Sequence, residues 1–105
     1  MARLLVIYNY PENPEAFNSY YRETHMPIFD KVPGVRSLSF SAGAPEVVAG
    51  APVYLVVEVA FDSMRDLRAA LASPEGQAAA ADLANYAQAG VTILAYDQSP
   101  EPQWS

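Results

Sequence analysis

The chain has 105 residues, a length that suits one compact domain with about a third of its unfolded surface still exposed after folding. Its formal charge of -6, with six basic residues that never cluster, excludes the Lys/Arg footprint needed to bind a phosphate backbone or an anionic membrane. Without cysteine there is no disulfide, thiolate nucleophile or cysteine metal cluster, and 51% hydrophobic against 17% charged residues suits a protein that hides one face in a partner.

In chain order, Arg3 to Tyr10 is rich in Leu, Val, Ile and Tyr and stops at Pro11, which predicts a central strand apolar on both faces. The apolar run is too short for a secretory h-region or a membrane span, so the expected location is the cytoplasm. Asn13 reads as a helix N-cap and Pro14 as the first helical residue, where a missing N–H costs nothing. Phe17, Tyr20, Tyr21, Thr24 and Ile28 then recur at spacings of three and four, the stripe of a helix facing a core. Pro33 and Gly34 close that segment. Val35 to Ala42 alternates serines with Leu38 and Phe40, giving a second strand with one polar face.

After a loop from Gly43 to Pro52, VYLVVEVAF carries the strongest strand pattern, with Val53, Leu55, Val57, Val59 and Phe61 on one side and Tyr54, Val56, Glu58 and Ala60 on the other. Ser63 and Asp66 form a variant of the capping box ahead of MRDLRAALA, and Ser73-Pro74 restarts a helix through QAAAADLANYA. That alanine-rich stretch reads as helix propensity and close packing without chemical content. Gln88 to Asp97 is the fourth strand. The order βαββαβ predicts an α+β, ferredoxin-like sandwich: a four-stranded antiparallel sheet with helices on one face, spanning residues 1–98 and followed by a Pro-rich tail, 99–105, in which Trp104 is a candidate to dock on a neighbour. The uncovered sheet face predicts a homodimer packed sheet to sheet.

The stretch YYRETHMP holds the one histidine, His25, two residues before Pro27. His25 lies four residues after Tyr21 and eight after Phe17, at the edge of the buried stripe, where imidazole chemistry suits proton transfer near neutral pH. Pro27 cannot bond the Glu23 carbonyl, which loosens the next turn and leaves room beside the ring. The bland alternative is a histidine that merely ends the helix, favoured there by the helix dipole. No metal site is expected, since Glu23, Asp30 and Glu58 offer no ligand spacing around a single imidazole. Glu58 is either a polar group at a ligand face or one half of a salt bridge to Arg3 or Arg36. Tyr8, Tyr10, Tyr21 and Tyr54 supply phenols able to donate to a ligand oxygen, or core aromatics. No phosphate loop, dinucleotide glycine pattern, nucleophile elbow or paired-histidine zinc motif is present.

The segments IYNYPENPEAFNSYYRETHMPIFDKVPGVRSLSFS and SPEGQAAAADLANYA together resemble the EthD family of the dimeric α+β barrel superfamily, THMP before KVPG being the most specific part. The resemblance implies a homodimer with facing sheets and a small apolar pocket between helices and sheet, used on ring-containing or ether-type organic molecules without metal or organic cofactor. By resemblance His25 takes the proton-transfer role. Tyr8, Tyr21, Phe29, Leu38, Phe40, Tyr54 and Glu58 are then the expected substrate-binding residues. Relatives that isomerise lactones carry a tyrosine where this chain has Leu38, so a hydroxyl partner for His25 has to come from elsewhere, Tyr8 or Tyr54. The oxidoreductase label common among members is nomenclature here, since the chain shows no nicotinamide or flavin motif. The rival expectations are a non-catalytic binder of small apolar or aromatic ligands and, with His25 as sole axial candidate, a haem-handling protein.

Overall fold

The structure, a computed structural model that describes residues 1–104, orders its four antiparallel strands β2-β3-β1-β4. Strand β1 (Ala2–Tyr8) is central, as its two-sided apolar pattern predicts. It pairs with β3 (Leu55–Phe61) on one side and β4 (Val91–Asp97) on the other, while β2 (Ser37–Phe40) borders β3. Strand β2 is shorter than the alternation from Val35 to Ala42, although the Arg36 and Ser41 N–H groups still bond to Ala60 and Val56 beyond its two ends. The ferredoxin-like sandwich is therefore present in the expected order.

Asn13 caps α1 (Pro14–Tyr20) by accepting from the Ala16 N–H at 3.1 Å, with Pro14 in the first turn. Pro27 does not stop this helix. The chain passes through a π-helical turn (Tyr21–His25), closed by the Met26 N–H on the Tyr21 carbonyl, and resumes as α2 (Met26–Phe29) with Pro27 in its opening turn. A widened turn does not need the N–H that Pro27 lacks, so the loosening expected beside the proline takes the form of a local change of helical register. Gly34, at φ +81°, then turns the chain toward β2.

Ser63 caps α3 (Met64–Ala72) through the Asp66 N–H. Ser73 closes that helix and at the same time caps α4 (Pro74–Asp82), accepting from the Gly76 N–H at 3.0 Å. Gly76 is where the two helices meet: a Cβ there would stand 2.0 Å from the Ala70 carbonyl oxygen. A short 3-10 turn (Leu83–Asn85) leads to β4.

The core lies between the helices and one face of the sheet, where Leu4, Val6, Val57, Val59 and Phe61 meet Phe17, Leu67, Ala70 and Ala79. Strand alternation sends Leu5, Glu58 and Leu94, which are cross-strand partners, to the other face. No helix among the described residues is long and apolar enough to cross a membrane. Trp104 is 83% exposed, and Ser105 of the expected tail lies outside the described residues.

Candidate functional site

The π-helical turn delivers His25 into the interior, 5% exposed, facing α4. Its Nδ1 lies 3.0 Å from Asp82 Oδ2, in a pair almost sealed from solvent. The other carboxylate oxygen, Asp82 Oδ1, accepts from the Tyr20 hydroxyl at 2.6 Å and from Asn85 Nδ2 at 3.0 Å. Burial alone would raise the Asp82 carboxyl, but the hydrogen bonds from Tyr20, Asn85 and His25, with the attraction of His25, outweigh it and hold the group below its ordinary 3.8. An ionised Asp82 beside Nδ1 favours the tautomer with its hydrogen there and leaves Nε2 as the basic nitrogen. Nε2 has no hydrogen-bond partner among the described residues. It keeps some contact with open space, because the one buried and unpartnered polar side-chain atom among them is Arg3 Nε.

An aromatic bed holds the imidazole. Tyr86 lies across it at 4.7 Å between centroids, and Tyr21, four residues back, stacks at 5.4 Å. Beneath them the Tyr8 and Tyr86 hydroxyls bond to each other at 2.6 Å. Burial pushes the Tyr8, Tyr21 and Tyr86 phenols above 10, so all three stay neutral hydrogen-bond donors at neutral pH.

Two clefts flank α1. One, about 510 Å³, opens toward β2 and β3 between Tyr21, Arg22, Met26, Phe40 and Tyr54, and its walls are mainly apolar. The second, about 490 Å³, lies on the α4 side, where Glu12, Tyr20, Asn85 and Tyr86 line it. Both volumes fall within the usual range for small-molecule sites. The two ring nitrogens flank Cε1 and aim their hydrogen-bonding directions well apart, so with Nδ1 on Asp82, Nε2 is not directed at that carboxylate.

Of the residues expected to bind substrate, Tyr21, Phe40 and Tyr54 come together on the first cleft. Tyr54 precedes β3 and escapes its alternation, so its ring packs edge-on against Phe17 at 5.4 Å instead of joining Val56. Tyr8 lies in the core under the cleft, and Phe29 and Leu38 are partly buried against that core. Glu58 is not in the cleft. Alternation along β3 places it on the open sheet face, half-exposed, with Arg3 Nε 3.5 Å away, while Arg36 pairs with Asp62 instead. Asp82, Tyr20, Asn85 and Tyr86, which surround His25, are not among the candidate site residues of the sequence reading, and the alanine-rich helix supplies the buried carboxylate. A signal for it exists: Gly76, Ala79 and Asp82 recur every three residues on the buried face of α4, so the carboxylate continues a stripe of small residues that pack inward.

A family model described as the EthD domain matches residues 9–90. The chain belongs to the EthD family. It is 40% identical over 100 residues to an uncharacterized 11.0 kDa protein in the thcB-thcC intergenic region of Rhodococcus erythropolis, covering 93% of this chain and 95% of that one. Among solved structures it is similar to an ethyl tert-butyl ether d (EthD) family protein of Bacillus halodurans C-125, with TM-score 0.83 and 27% identity over 94% of this chain and 99% of the other. A dimeric ferredoxin-like protein of unknown function from Thermobifida fusca YX shares the fold at TM-score 0.59 and 18% identity, over 92% and 90% of the two chains.

Proposed function

We propose that this EthD-family protein is a cytoplasmic small-molecule enzyme that works without a metal or organic cofactor. His25 moves a proton on an apolar, cyclic substrate held in the cleft between α1 and the β2-β3 side of the sheet. The supporting observation is the buried His25–Asp82 pair at 3.0 Å. Asp82 is a positioning residue: it fixes the imidazole tautomer and balances the charge that appears when Nε2 takes a proton. Neutral tyrosines close to the ring are suited to donate to an oxygen of the substrate as charge builds on it. Histidine acid–base chemistry of this kind needs no redox partner, which fits degradation or tailoring of ring compounds by isomerisation or elimination.

A second reading, a non-catalytic binder, is favoured by one observation: His25 is not among the residues lining either cleft, because Tyr21 and Tyr86 cover its ring. Incubation with a panel of cyclic ketones, lactones and phenols separates the two. The enzyme returns altered compound, or exchanges substrate C–H for deuterium in heavy water, and His25→Ala lowers that rate by about a hundredfold or more, the scale of general acid–base catalysis. Recovery of every bound compound unaltered and unexchanged, or an undiminished rate in His25→Ala, rejects the catalytic reading and leaves the binder.

We also infer a homodimer joined through the open sheet faces. Leu94 and Tyr96 stand 46% and 42% exposed on strand β4, with Leu5 and Ile7 beside them on β1. A ferredoxin-like protein of Thermobifida fusca with the same fold is dimeric, which supports a dimer here.

A further inference from the structure

The cleft between α1 and the β2-β3 side has a polar equipment that is one-sided. No acidic residue lines it, although the chain carries a net charge of -6. Arg22 does line it, and it is the one basic residue on either cleft. Arg22 has no ion-pair partner among the described residues. Its helical neighbours three and four positions away are Asn18, Ser19, His25 and Met26, so no carboxylate is spaced to pair with it along the helix. Arg3 and Arg36, by contrast, are engaged with Glu58 and Asp62.

The neighbouring amide adds to this. The Tyr54 hydroxyl donates to Asn18 Oδ1 at 2.8 Å, which engages the amide's acceptor while its N–H donors have no partner among the described residues. Tyr21 contributes a phenol that burial keeps protonated. The cleft therefore presents the Asn18 N–H donors and the Arg22 guanidinium around apolar walls formed by Met26, Phe40 and Leu55. A neutral ketone uses one such donor, whereas an acceptor-only group with a full negative charge uses them together, and a guanidinium fork matches a carboxylate in two parallel bonds.

We propose that the natural ligand of this cleft is an apolar ring compound bearing a carboxylate, with the ring against Phe40 and Met26 and the carboxylate on Arg22 and Asn18. The proposal rests on the reading that the substrate occupies this cleft, and it names the class of that substrate.

The test compares 2-naphthoate with neutral 2-naphthamide, titrated calorimetrically into the full-length protein and into Arg22→Gln, which alters an exposed helical position and leaves the core untouched. The acid should bind the unmodified protein about tenfold more tightly than the amide, equivalent to about 1.4 kcal/mol. Arg22→Gln should erase that preference while keeping the amide's affinity. Salt raised to about 1 M, where the Debye length falls to ~3 Å, should weaken the acid alone. Equal affinities, a preference that survives in Arg22→Gln, or failure of both compounds to bind overturns the proposal. His25→Ala, which on the proton-transfer reading stops turnover, should leave the acid–amide difference unchanged, so loss of charge selectivity and loss of proton transfer report separately.

Discussion

Asp82 is the residue on which the site turns, because a carboxylate this buried is stable only when its oxygens are occupied. Here Oδ2 meets His25 and Oδ1 meets Tyr20 and Asn85. Its folded-state pKa lies below the ordinary 3.8, so the stability it contributes is fully present above that value and is lost as the pH falls through the lower folded value. Asp82→Asn keeps the shape but gives up the charge that strengthens its hydrogen bonds. The variant should be less stable at pH 7 by about 2 kcal/mol, and the difference should shrink at an acid pH below the lowered folded value, where the native carboxylate is also protonated. Urea midpoints of both proteins at the two pH values measure this. An equal loss at both would trace the cost to an amide N–H standing where an acceptor oxygen is needed, and not to the lost charge. Little of this was legible in the sequence. His25 could be picked out because its type and its place on the Phe17–Tyr21 stripe are local, but its partner stands 57 residues away. Only the packing of α4 against α2, just beyond the π-helical turn, brings the two side chains together, and periodicity within one helix carries no information about the element it meets.

Elements were more legible than contacts, since caps, prolines and alternation act within a few residues. Asn13, Ser63 and Ser73 each cap the helix they were expected to cap, β1 is the central strand that its two-sided apolar pattern predicts, and β3 alternates from Val56 to Val59. Two features escaped for a physical reason. The proline in THMP is expected to break or bend its helix and loosen the next turn, and what forms is a widened turn, a choice that residue identity alone does not decide. The glycine of SPEG, which carries no signal in the sequence pattern, is the point of closest approach between α3 and α4. An added methyl at Gly76 meets the backbone oxygen of Ala70, which cannot rotate away as a side chain can. Gly76→Ala should therefore destabilise the protein by about 2 kcal/mol or more despite the better helix propensity of alanine, lowering the thermal midpoint by about 8 °C or more. An unchanged or raised midpoint would show that the helices separate at little cost. Because α4 also carries Asp82, the same variant should disturb the His25 pairing, visible as a shift of the imidazole proton resonances.

At the scale of the whole molecule the unresolved tension is the open face of the sheet. Leu5, Ile7, Leu94 and Tyr96 share that face with Glu58 and Arg3, whose Nε is shut away from water yet makes no hydrogen bond, with Glu58 Oε1 3.5 Å off as an ion-pair partner. A second copy packed face to face would cover the apolar residues, and it would also bring that ion pair into a drier setting where its attraction is stronger but its desolvation has to be offset. The apolar residues are then the ones that drive association, and a charge placed among them should undo it. Leu94→Glu should sediment as a monomer at about micromolar concentration where the unmodified protein sediments as a dimer, since an unpaired carboxylate in an apolar interface costs several kcal/mol. Val48→Glu, at a loop position 97% exposed, supplies the control for added negative charge and should remain dimeric. If both variants sediment alike, the open face is not the interface, and the clefts beside α1 would have to be considered as part of one.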